Sequence, residues 1–147
     1  MSFLREVLLT STLALAAQTT HAADGKLSGT WSIDLRTSEQ KAERAECGKA
    51  SFVLKQVGRK ITGSHSMATV GCSRLNEGGE GTVKGRMVGN RALLVVTSGR
   101  NGAVVKGYAA LKGEALYWET TEEVKAGEPP GDSPLILAKG LLTRVSK

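Results

Sequence analysis

Three short turns, at Gly58-Arg59, Gly89-Asn90 and Lys112-Gly113, each join two segments in which apolar and polar residues alternate. Glycine and asparagine supply the positive φ that two-residue hairpin loops need, and alternation at period two marks a strand with one buried face. A chain built this way is restricted to an antiparallel meander. The paired segments are 51–57 with 60–68, 81–88 with 91–98, and 103–110 with 115–121. An opening segment at 27–35 places Leu27, Trp31, Ile33 and Leu35 on one face with Gly29, and Ser28, Thr30, Ser32 and Asp34 on the other. A last segment runs from Leu135 to Val145, which brings the strands to eight. Eight sequential antiparallel strands can close on themselves and so remove both exposed edges. The expected fold class is therefore all-β: an eight-stranded antiparallel up-and-down barrel, with a short helical segment in the first long loop, capped by Ser38. Two hairpins carry a short repeat, Val83-Lys84-Gly85 returning as Val105-Lys106-Gly107 and Ala92-Leu93 returning as Ala115-Leu116, which predicts equivalent hairpin geometry.

The meander order fixes where the connections lie. The long links 36–50, 69–80, 99–102 and 122–134 fall at one end of the barrel and the tight turns at the other. Cys47 and Cys72, the only cysteines, then sit on neighbouring loops at the same end. Residues 1–22 read as a signal peptide, with Arg5 in a basic start, an apolar run from Val7 to Ala17, and Thr20-His21-Ala22 before the cleavage point. The expected location is periplasmic or secreted, where two cysteines pair in the single way open to them. Residues 23–147 form one β-barrel domain on this reading.

Composition bounds the partners. Removing Arg5 and Glu6 with the leader takes one from each charge count and leaves the balance at +6. Basic residues are scattered and no block of five occurs, so the charge favours a small or anionic ligand while nucleic acid is not expected. Only Trp31, Phe52, Tyr108, Tyr117 and Trp118 remain as aromatics after position 22, too few for a base-stacking surface or for the aromatic girdles of a transmembrane barrel. Membrane insertion is not expected.

Candidate site residues are few. His65 is the only histidine after position 22 and shares the inward face of 60–68 with Ile61, Gly63 and Met67; Trp118 shares a face with Leu116 and Thr120. Arg74, Asn76, Arg100 and Asn101 lie on loops at the mouth, where scaffolded barrels take ligands. These six are the expected ligand-binding residues. With the cysteines paired, no second nitrogen or sulfur ligand joins His65, so neither a metal nor a cofactor is expected. Glu77 and Glu80 have no spacing that sets them apart from solvated charges, and Gly78-Gly79-Glu80-Gly81 lacks the lysine and helix of a phosphate cradle; no catalytic residue is assigned.

The residues from Leu27 to Leu35 resemble the first strand of avidins, and Gly29-Thr30-Trp31 is similar to the Gly-x-Trp of lipocalins. Gly58-Arg59-Lys60-Ile61-Thr62-Gly63-Ser64 is similar to the avidin hairpin that follows, and Leu142-Thr143-Arg144-Val145 to its closing strand. The resemblance implies an avidin- or lipocalin-like meander barrel that holds a small ligand inside; residues 36–50 are an insertion relative to it. The expected function is a non-catalytic exported binding protein taking a small or anionic ligand at the barrel mouth. The alternative is an envelope protein-interaction module, of inhibitor or immunity type, acting through its clamped loops.

Overall fold

The computed structural model describes residues 25–145; the segment read as a leader lies outside them. Eight strands close into a barrel in chain order, each antiparallel to the next: β1 (Gly29–Asp34), β2 (Lys49–Val57), β3 (Lys60–Ala68), β4 (Leu75–Val88), β5 (Arg91–Thr97), β6 (Val104–Lys112), β7 (Ala115–Lys125) and β8 (Lys139–Arg144). One helical turn and a half, α1 (Ser38–Ala42), lies between β1 and β2. Its cap is Thr37 rather than Ser38: the Thr37 hydroxyl accepts from the Gln40 amide at 3.2 Å, and the Gln40 side chain accepts from the Thr37 amide at 2.8 Å. This reciprocal pair satisfies two donors left free by the first turn, which Ser38, already inside the helix, is not placed to do.

Closure between β1 and β8 is short, resting on Trp31↔Arg144 and Ser32↔Thr143. Arg144 reinforces it. Its guanidinium lies 4.1 Å over the Trp31 ring and donates to the carbonyls of Ser28 and Lys26, while the Trp31 indole donates to the Leu27 carbonyl at 2.9 Å. Leu27 is thereby folded under the turn end of the barrel, only 2% exposed.

The inward faces meet in one cluster that fills the barrel, with Trp31, Phe52, Ile61, Met67, Leu94, Leu116, Trp118 and Leu142 its largest members. Phe52 meets Trp118 edge-on at 5.2 Å. Removing apolar surface of this size from water stabilises the fold by roughly 1.5–3 kcal/mol per side chain. Room for Trp118 comes from Gly107, where a Cβ would strike the indole.

Three expected boundaries move, each for a physical reason. The loop read at 69–80 is only 69–74, because residues 75–78 pair with β3 and residues 79–82 continue the strand through a register shift opposite Gly63 and His65. The strand 115–121 extends to Lys125 against β6. The strand read from Leu135 begins at Lys139. Leu135 and Leu137 instead turn into the open end of the barrel and are 4% exposed each. Smaller shifts of one to three residues at strand ends place the third tight turn at Gly113-Glu114.

The expected disulfide is present between Cys47 and Cys72, with Cα atoms 5.3 Å apart. It joins the loop after α1 to the β3–β4 loop, beside an isolated bridge between Cys47 and Val70.

Candidate functional site

All long connections lie at one end, and 126–138 is drawn across that end as a strap. Its deepest anchors are Leu135 and Leu137. The Leu137 carbonyl accepts from the Trp118 indole at 3.2 Å and its amide points at the Met67 sulfur at 3.4 Å. Trp118 is therefore a fully buried core residue that also fixes the strap.

Beneath the strap is a buried polar relay. His65 is 3% exposed and Asn76 1% exposed, the latter on the inward face of β4 rather than on a loop rim as expected. The Asn76 amide donates to the Ser98 hydroxyl at 3.0 Å and to the Pro134 carbonyl at 3.0 Å. Its oxygen accepts from the Gly99 amide at 2.9 Å and faces His65 Nε2 at 3.0 Å. Those partners fix the orientation of Asn76 and make Nε2 the protonated ring nitrogen. His65 Nδ1 then faces Thr82 Oγ1 at 3.2 Å, but the single Thr82 proton is drawn to the Gly79 carbonyl at 2.7 Å. The imidazole is thus well held on one side and weakly on the other. Burial pushes its pKa below the ordinary value, with the Asn76 bond opposing the shift. Gly78 lies so close to the ring that a Cβ there would collide with it. Ser98 escaped the sequence reading; its signal was the inward phase it shares with Ala92, Leu94 and Val96.

At the surface of the strap, Arg74 and Arg100 converge on one carboxylate. Arg74 reaches Asp132 Oδ1 at 2.8 Å and the Ser133 carbonyl at 3.3 Å; Arg100 Nε donates to Asp132 Oδ2 at 2.6 Å. The Arg100 hydrogen bond and the charge of Arg74 hold the Asp132 carboxyl below the usual carboxylate range. Asn101 anchors the other end of the strap: its carbonyl accepts from the Glu128 amide at 2.9 Å, and Gly127 packs against its side chain. Arg74 Nε and Asn101 Nδ2 are buried without a hydrogen-bond partner.

Five of the six expected ligand-binding residues thus gather at one end of the barrel, His65 with Asn76 directly and Arg74 with Arg100 through Asp132. Trp118 joins them only through Leu137. Glu77 and Glu80 stand exposed on β4. A second polar group lies outside, on the barrel wall. Tyr117 and Tyr108 both donate to Glu119 Oε2, at 2.7 and 3.0 Å, with Lys112 4.0 Å over the Tyr117 ring and Arg91 4.6 Å over that of Tyr108. It arises from three outward phases meeting across β5, β6 and β7, visible only once the register is known.

Fold and site together define a closed meander barrel with an occupied interior and a strapped mouth. Comparison with family models, with curated proteins and with solved structures finds no match.

Proposed function

We propose that this chain is an exported, non-catalytic interaction module that offers its disulfide-clamped loop end to a protein partner, the barrel serving as a rigid support. One observation carries the choice over a ligand carrier: aromatic and aliphatic side chains occupy the interior, and the strap covers the mouth with Leu135 and Leu137. The arginines expected to take an anion are already engaged by Asp132, so a ligand would have to displace that carboxylate. Exposed side chains at this end include Glu46, Arg44, Arg100 and Glu128, on loops held by the disulfide and by the strap. Loops fixed by a scaffold present side chains at low entropic cost on binding. Export rests on the leader-like residues 1–22 and on the disulfide, which persists in oxidising compartments.

A small or anionic ligand at the mouth is the second reading. Its support is the pair of buried unpartnered nitrogens, Arg74 Nε and Asn101 Nδ2, which a ligand oxygen would satisfy. Site-specific photo-crosslinking in the native compartment separates the two. A photoreactive residue at Glu46 or Glu128 is expected to give a discrete protein adduct, and one at Glu114 on the turn end none. Adducts from Glu114 alone, or none at all with a small molecule retained on the purified chain, overturn the proposal.

A further inference from the structure

The repeated tripeptide has a structural consequence on the outer wall. Val83 and Val105 both pair with Val96, Lys84 and Lys106 both pair with Val95, and Gly85 and Gly107 both pair with Leu94. The two copies therefore flank β5 in the same register and set a lysine on each side of Val95. One row of outward side chains runs Lys55, Thr62, Lys84, Val95, Lys106 across β2 to β6. The next runs Val57, Lys60, Arg86, Leu93, Tyr108. Val88 and Arg91 begin a third. Leu93 and Val95 are 46% and 37% exposed, and Val57 and Val88 43% each, large exposures for aliphatic residues. Of the cations, only Lys106 has a carboxylate within reach, Glu122 at 3.7 Å; Lys55, Lys60, Lys84, Arg86 and Arg91 have no ion-pair partner among the described residues. A shallow depression of about 540 Å³ opens between Arg86 and Lys106 over Leu93 and Val95.

We propose that this wall, centred on β4 to β6, docks side-on against an anionic lipid surface. The chemistry selects that occupant. Leu93 and Val95 lie exposed on β5 at the centre of this wall and enter the interface, while Lys84 and Arg86 on β4, Lys106 on β6 and Arg91 at the start of β5 meet the phosphates. A soluble polyanion would satisfy the cations and leave the exposed aliphatic side chains in water; a bilayer with acidic headgroups satisfies both. Docking in this pose lays the barrel axis along the membrane and leaves the loop end free at its side. It adds to the interaction-module reading and does not depend on it.

The test is sedimentation of the chain, recovered from an exporting host, with vesicles of phosphatidylcholine alone or mixed with phosphatidylglycerol. Binding is expected only to the mixed vesicles and to weaken with salt. The double variant Lys84→Glu/Lys106→Glu is expected to lose affinity by roughly tenfold or more, and Leu93→Ser/Val95→Ser by several-fold, both with unchanged thermal unfolding because the sites face solvent. The control Lys41→Glu/Lys49→Glu is expected to bind like the parent. Failure to bind mixed vesicles overturns the proposal. So does equal loss in the control variant, which reduces the effect to net charge. Binding to heparin at least as tight, and indifferent to Leu93→Ser/Val95→Ser, assigns the wall to a soluble polyanion instead.

Discussion

Single residues in this barrel carry unequal consequences, and Asn76 carries the most. Replacing it with alanine strands the His65 Nε2 proton in a buried setting, removes the donor to the buried Ser98 hydroxyl, and frees the part-buried Gly99 amide and Pro134 carbonyl. Unsatisfied buried groups cost about 1–3 kcal/mol each, so Asn76→Ala is expected to lower unfolding stability by at least about 2 kcal/mol in urea titration. His65 brings a pH dependence with a definite sign. Its folded pKa lies below the ordinary 6.5 because burial disfavours the charged ring. Above that pH both states are neutral and the stability is fully present. As pH falls through 6.5 the unfolded chain binds a proton the folded chain refuses, so stability declines by up to about 1.4 kcal/mol per pH unit until the lowered folded pKa is reached. His65→Gln is expected to flatten that slope in denaturation curves taken between pH 6.5 and 5. Tyr117 supplies an independent check: its bond to Glu119 pushes its pKa to about 12, and Glu119→Gln should return ionisation toward 10 in ultraviolet titration. Residue identity made His65 and Trp118 visible as inward side chains. It did not show Asn76 facing inward, because the register shift beside Gly63 and His65 that sets its phase depends on β3.

Elements were legible where local chemistry decides them. The turns at Gly58 and Gly89 stand as read, since a residue with φ near +60° is needed there and glycine adopts it without strain. Where tertiary contacts decide, sequence misled. Leu135-Ile136-Leu137 has the composition of a strand, yet its leucines are drawn into the barrel end, and the ladder with β7 begins only at Lys139. Residues 75–80 have the composition of a loop, yet β3 offers 75–78 an open ladder and a register shift carries the strand on. The disulfide belongs to this scale. It spans a sequence separation of 25 residues and links the α1 loop to the β3–β4 loop. Closing a loop of that size stabilises by about 3 kcal/mol through the unfolded state. The double variant Cys47→Ser/Cys72→Ser is expected to unfold that much more readily, with the near-ultraviolet signal of the buried tryptophans preserved. Loss of that signal in the native state would show that the clamp shapes the barrel as well as its loops.

At the scale of the whole molecule, the chain behaves as a closed cylinder sealed at both ends, by Leu27 beneath the turns and by Leu135 and Leu137 beneath the strap. The meander order, the single domain core and the meeting of Cys47 with Cys72 follow from alternation and turn chemistry. The filling does not, because inward-facing side chains line a hollow barrel and a solid one with the same periodicity; only their sizes and the glycines opposite them, such as Gly107 against Trp118, decide which results. If the interior is solid, as the packed core suggests, the proposed partner must be met by the exterior. The most direct test is native mass spectrometry of the chain recovered gently from its own compartment. The expected mass is that of the bare polypeptide less two hydrogens for the disulfide. A reproducible added mass that departs on denaturation, and that is lost from the variants His65→Gln or Asn76→Ala, would contradict it and return the interior to a ligand.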